Sequence, residues 1–308
     1  MTNRPAPNRV SFLLPLLLLP LLAATAGRSQ AQSASEALVK TPQRVNPAAM
    51  QTMQIPSHGA PMNALVYVAA GAGPHPAVIL LHGFPGNEKN LDLAQDIRRA
   101  GWDVLYFNYR GSWGTPGEFS FSHGIEDVAS ALAYLRQPEV AKGLRLDPAH
   151  IVLIGHSMGG FMAVEGAAAD PAITAIATIS AGDMAGFVPA NLPKEQEQAV
   201  IEKLGARLEK YGMAPLAGCT PQGLARDLVD HAAQWRFDSK ADTLKNRTAL
   251  IITSDDGLAD ANMAFAEKLK AAGDKQVTTL HLATDHSYSD QRLELSKAVV
   301  QWLGTLSR

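Results

Sequence analysis

The stretch LIGHSMGGF, residues 153–161, ends an apolar run and opens a run of small side chains. Before it, HIVLIG (150–155) is apolar without alternation, as in a strand covered on both faces. After it, MGGFMAVEGAAA (158–169) reads as the start of a helix. Between them Ser157 stands at a turn flanked by Gly155 and Gly159, which are small because neighbouring chain passes close by. A serine at such a strand-to-helix turn has strained backbone and an exposed hydroxyl. The amides at the start of the following helix point at the same spot and favour negative charge there. The pattern G-x-S-x-G alone arises by chance in about one chain in ten of this length. The strand before it and the small-residue helix after it make it specific, against the plainer reading of a glycine turn with an incidental serine.

Working outward, the same order recurs. AVILLHG (77–83), WDVLYFNY (102–109), ITAIATIS (173–180), TALIITS (248–254) and VTTLHLA (277–283) read as strands. Helical patterns alternate with them: 88–101, 125–137 (stopping before Pro138), 259–273 and 289–304. Residues 50–70 hold two short strands joined at His58-Gly59. This alternation argues an α/β fold with a mostly parallel, doubly covered sheet of about eight strands. Residues 183–246 carry no strand signal. They hold a mixed-charge helix within 193–212 and a second helical stretch at 221–235. An insertion of this length is expected to be a helical lid or part of the binding surface, the alternative being a purely decorative helix pair.

Composition bounds the function. The chain has 308 residues and a net charge of −2, so no basic surplus points to nucleic acid. Its single cysteine, Cys219, allows no internal disulfide and reads as a buried apolar thiol. No metal-ligand cluster or phosphate-cradling loop is legible, so no metal and no cofactor is expected. At the N-terminus, Arg4 and Arg9 precede SFLLPLLLLPLLAATA (11–26), an apolar run too short and too proline-rich for a membrane span. It reads as a signal peptide, residues 1–31, cleaved after Ala26 or Ala31, with a leader at 32–48 and the folded domain at 49–308. The expected location is the periplasm or the exterior, with no stable membrane span after cleavage.

GHSMGG (155–160), LLHGFPG (80–86) and FNYRGSWGTPG (107–117) together resemble the α/β-hydrolase superfamily over roughly residues 50–306. They are most similar to its prolyl-oligopeptidase-like and dienelactone-hydrolase-like members. The resemblance implies the chain order serine, acid, histidine. His286, in the loop ATDHSYSD (283–290), is the expected base, whereas His281 lies inside a strand. In SDDGLAD (254–260) both Asp255 and Asp256 qualify as the acid. A Gly-x-x-Asp spacing common in the family, with Thr253 at the glycine position, favours Asp256. The backbone amides of Phe84 and Met158 are expected to form an oxyanion hole. Phe84, Met158 and Trp113, with Tyr109 at the strand end, would shape an apolar pocket, and Arg110 would hold its loop. His82 and His156 are expected to be structural, His123 a capping or surface residue, and Phe161 core.

These residues imply hydrolysis of a carboxylic ester through an acyl-enzyme. The partner would be a small-molecule ester that is neutral and partly apolar, because segment 183–246 mixes Glu195, Glu197 and Asp230 with Lys203, Arg207 and Arg226. Rival readings are a serine peptidase acting on a short peptide, and a non-catalytic binding protein on the same fold. The joint presence of Ser157, an aspartate and His286 speaks against the last, since binding alone needs no such set. A perhydrolase side activity is a further variant of the same chemistry.

Overall fold

The computed structural model describes residues 45–274 and 276–306. The expected signal peptide (1–31) and residues 32–44 of the leader lie outside the described residues. His58 and Gly59 both take positive φ, 43° and 85°. A two-residue hairpin with this left-handed turn matches the twist of its strands. It joins β1 (Ala49–Ser57) to β2 (Ala60–Val68), with Ser57 opposite Ala60. Six further strands follow: β3 (His75–Leu81), β4 (Asp103–Phe107), β5 (Leu146–His156), β6 (Ala175–Ile179), β7 (Thr248–Thr253) and β8 (Val277–His281). They form one sheet in the order β1-β2-β4-β3-β5-β6-β7-β8. Only the β1/β2 and β2/β4 pairs are antiparallel; the rest are parallel. Every residue of β3, β4 and β6 is buried, which explains why their sequences are apolar without alternation.

Helices cover both faces. α1 (Leu91–Arg99) lies on one face, where Leu93 and Ile97 meet Val78 and Leu80 of β3. α2 (Phe121–Leu135), capped by the Ser120 hydroxyl on the His123 amide, lies on the other. α3 (Pro138–Leu144) departs from the sequence expectation: Pro138 does not merely end the preceding helix but begins a new one. Proline lacks the amide that a first helical residue leaves unused, and it pushes the residue before it into the extended region. Gln137 accordingly sits at φ −64°, ψ 129°. α4 (Met158–Ala169) is buried almost throughout, so its small side chains serve close packing. Because α1 follows β3 on one face and α4 follows β5 on the other, the chain separates between these adjacent strands. Such a switch point opens a crevice at the carboxyl ends of the strands.

Between β6 and β7, α5 (Glu197–Lys210) and α6 (Pro221–Asp230) pack on each other, followed by the short α7 (Ala232–Trp235) and α8 (Ala241–Leu244). Their buried residues repeat at helical spacing: Ile201, Leu204 and Leu208 on α5, and Leu224 and Leu228 on α6. The linker between α5 and α6 joins the loop after β4 by main-chain hydrogen bonds. The Trp113 amide donates to Pro215 O at 2.9 Å, Ala217 to Gly111 O at 2.8 Å, and Phe119 to Ala217 O at 3.0 Å. α9 (Ala259–Ala271) and α10 (Arg292–Leu303) complete the two layers, α9 against α8, β7 and β8 and α10 beside α1.

Candidate active site

The turn at Ser157 is as cramped as its glycines imply. A Cβ on Gly155 would stand 1.9 Å from Gly159 O, and one on Gly159 would stand 2.0 Å from Leu81 O. Ser157 takes φ 58°, ψ −122°, a conformation that costs an L-residue about 1–3 kcal/mol. It is held there by main-chain bonds: its amide donates to Ile179 O, and its carbonyl accepts from the Gly160 and Gly182 amides. The loop after β3 presses against it, since a Cβ on Gly83 would come within 2.9 Å of Ser157 Cβ. Among the described residues, the amides of Phe84 and Met158 have no hydrogen-bond acceptor of their own.

The two aspartates after β7 part company. The Asp256 side chain is 4% exposed and its Oδ2 accepts from His286 Nδ1 at 2.7 Å. Asp255 is 63% exposed and faces His281 Nε2 at 3.1 Å, at the end of β8. Burial works against ionisation of Asp256. Hydrogen bonds from His286 and the Leu258 amide, aided by the neighbouring Ser180 and Ser254 hydroxyls, outweigh it and hold the carboxyl well below the usual carboxylate range. Beneath it, Ser180 Oγ shares hydrogen bonds with Ser254 Oγ at 2.9 Å and with the Tyr288 hydroxyl at 2.8 Å. Tyr288 is fully buried, and burial pushes its phenol up to about 12. This hydroxyl group of three escaped the sequence reading, because its members lie in three separate loops.

His156 has more contact with the site than its structural assignment implied. Its Nε2 donates to the carbonyl of His286 at 2.8 Å, and the two rings lie 4.7 Å apart. Burial, then the His286 charge, push the His156 imidazole down to about 4. His82 is buried against Tyr109, donates from Nδ1 to Gly83 O at 2.8 Å, and is also pushed by burial to about 4. His123 contacts Glu118 O on the surface. Phe161 is core, and Cys219 is half-buried against it. Arg110 is bound by Asp127 at 2.6 Å, and Asp127 also takes the Ser57 hydroxyl.

Ser157, Asp256 and His286 line one cavity of about 470 Å³, together with Phe84 and Met158. The rest of its wall comes largely from the insertion: Met184, Phe187, Leu204, Arg207, Leu208, Tyr211 and Leu228. A smaller hollow of about 160 Å³ opens on the other side, between the 83–88 loop and Tyr211. The expected pocket residues Trp113 and Tyr109 line neither, which corrects that reading. Tyr109 is fully buried behind His82, and its hydroxyl points to His82 O. Trp113 braces the 84–86 loop from outside through Nε1 to Pro85 O at 2.8 Å, under the Lys89 ammonium. Among the described residues no group of three His, Cys, Asp or Glu side chains is arranged to hold a metal, and no helix is long and apolar enough to cross a membrane.

Comparison with known proteins agrees with this architecture. The family model "Alpha/beta hydrolase family" matches residues 78–298. No curated protein sequence matches the chain. Among solved structures, it is similar to Est1E from Butyrivibrio proteoclasticus with bound ferulic acid, at 16% identity and TM-score 0.60, over 82% of this chain and 97% of that one. It is similar to an esterase from Pyrobaculum calidifontis at 19% identity and TM-score 0.60, over 93% and 94% of the two chains. A 2,6-dihydroxy-pseudo-oxynicotine hydrolase superposes at 17% identity and TM-score 0.57, over 90% and 74%. At these identities the likeness is one of fold.

Proposed function

Since the chain belongs to the alpha/beta hydrolase family, we propose that it is a serine hydrolase that cleaves carboxylic esters through an acyl-enzyme. The observation that carries this reading is the His286–Asp256 contact at 2.7 Å, in the same cavity as a serine held at positive φ. In this reading Asp256, kept ionised, fixes the Nδ1–H tautomer of His286 and stabilises its cation. Nε2 is then the basic nitrogen. It takes the Ser157 proton as Oγ attacks the ester carbonyl, and returns it to the departing alcohol. Water attacks the acyl-enzyme by the same route in reverse roles. The amides of Phe84 and Met158 receive the oxyanion, and their lack of internal acceptors supports that role. Asp255 serves His281 and not the base.

The apolar wall from Met184 to Leu228 supports a partly apolar, uncharged group next to the scissile bond. The named esterase neighbours favour ester over amide chemistry, and α5 and α6 act as the cover of the site. The same reading includes export, directed by residues 1–31. Labelling with a fluorophosphonate, followed by rates on aryl esters, emulsified long-chain lipids and aminoacyl anilides, tests it. Ser157 is expected to carry the label, and short-chain aryl esters to react fastest. Preference for an anilide over every ester would favour the peptidase alternative, and absence of labelling would refute the serine mechanism.

A further inference from the structure

Arg207 belongs to two hollows. It lines the cavity beside Ser157, and it lines an adjoining groove of about 470 Å³ with Phe187 and Leu204, which are also shared by both. The groove adds Val200, Lys203 and Lys210. Three cations thus stand on an apolar floor that leads out from the serine. Among the described residues no carboxylate lines the groove, and the one that lines the cavity, Asp256, is engaged by His286. None of Lys203, Arg207 and Lys210 forms an ion pair or side-chain hydrogen bond among the described residues. The Arg207 guanidinium lies 4.1 Å from the centre of the Phe187 ring, which fixes it where the two hollows meet.

A purely local reason exists for part of this pattern. Arg207 and Lys210 lie in the last turn of α5, where cations complement the helix dipole. That accounts neither for Lys203, about one turn before Arg207, nor for the absence of any acid among the described residues that line the same groove. The mixed charge of segment 183–246, which as an average points to a neutral substrate, is resolved in space. Neither Glu195, Glu197 nor Asp230 lines either hollow.

We propose that this rim binds the far end of the substrate, and that the preferred substrate is an ester carrying a carboxylate remote from the scissile bond. Arg207 receives the carboxylate, assisted by Lys203 and Lys210, while the uncharged middle of the substrate lies along Leu204, Leu208 and Met184. This rests on the hydrolase reading above. The carboxylate is a spectator: the ester bond alone breaks, water supplies the hydroxyl, and the products are an acid and an alcohol.

The test compares charged esters with neutral twins of the same size on the purified protein. One pair places the charge on the acyl side: 4-nitrophenyl hydrogen adipate or suberate against the corresponding methyl diesters. The other places it on the alcohol side: 4-(butyryloxy)benzoate against its methyl ester. In at least one pair kcat/KM is expected to favour the anion by about tenfold at low salt, the size of one charge-assisted contact. The preference should fall as salt screens it. Arg207→Gln should bring the ratio of anionic to neutral rates close to one, and Arg207→Lys should restore part of it. Lys245→Gln, which removes an equal charge outside both hollows, should leave the ratio as it was. Hydrolysis of the neutral esters without anion preference in either pair would overturn this inference alone. A ratio unmoved by Arg207→Gln would do the same. Hydrolysis of no ester would overturn the hydrolase reading and this inference with it.

Discussion

His156 supplies a prediction that can be worked in numbers. The free imidazole titrates near 6.5, and in the folded protein burial pushes it down to about 4. The unfolded chain therefore binds the proton more readily over this interval. The contribution of His156 to stability is complete above about pH 6.5 and is lost as pH falls toward 4. Each pH unit of difference is worth about 1.4 kcal/mol, so acidification from pH 7 to 4 removes about 3 kcal/mol through this residue. His156→Gln keeps a donor for the His286 carbonyl but has nothing to protonate. Urea unfolding followed by tryptophan fluorescence at pH 7, 6, 5 and 4 measures the difference. The variant is expected to lose about 3 kcal/mol less than the wild type across that range. The difference between the two proteins is the proper readout, because other groups titrate in both. His82 acts in the same direction, whereas Asp103, whose carboxyl burial pushes up to about 7, acts in the opposite one. Parallel pH profiles for the two proteins would refute the assignment of His156 as a buried neutral imidazole.

Further outcomes follow from the same geometry. Ser157→Ala and His286→Ala are each expected to lower kcat by roughly a millionfold with unchanged circular dichroism, since such groups act as a unit. Ser157→Gly should lose activity equally but gain about 1 kcal/mol in unfolding free energy, because glycine accepts φ 58° without strain. Asp256→Asn should lower kcat/KM about ten-thousandfold on a single aryl ester, and Asp255→Asn only a few-fold; the reverse order would move the acid. Gly159→Ala, with a Cβ directed 2.0 Å from Leu81 O, should destabilise by about 3 kcal/mol in the same urea assay. Intact mass of protein from its natural host is expected to show loss of the segment ending at Ala26 or Ala31, and a mature chain that retains Met1 would contradict export.

How far the chain could be read in advance depended on how local each feature is. Ser157 announces itself because strand, turn and helix are consecutive and the glycines betray the close approach of Leu81 O. The strands were legible because both faces of β3, β4 and β6 are buried. Asp255 and Asp256 were harder. They are neighbours on one turn, and what separates them is where His281 and His286 arrive from another part of the chain. Trp113 and Tyr109 were misread because their orientation is set by packing on His82 and Pro85, which residue type does not reveal. The cavity wall was hidden for another reason. Leu204, Leu208 and Leu228 look like the inner stripe of any amphipathic helix, and only the position of α5 and α6 in the fold brings that stripe into the wall of the cavity that holds Ser157.

The main-chain bonds between residues 215–217 and the loop after β4 have an architectural consequence. They attach the linker between α5 and α6 to the frame that also carries Trp113, and through Trp113 to the loop that bears Phe84. Residues 185–212, which supply Phe187, Leu204, Arg207 and Leu208, lie ahead of that attachment. Under the proposed function, the serine turn with its His286–Asp256 pair and the 185–212 stretch of cavity wall are thus separate segments joined at a seam. Substitutions on one side of the seam can redraw the shape and charge of what is admitted, while the turn at Ser157 and the His286–Asp256 pair stay as they are. In such an arrangement new specificities are reached by exchanging a stretch of surface helix, not by rebuilding a catalytic centre.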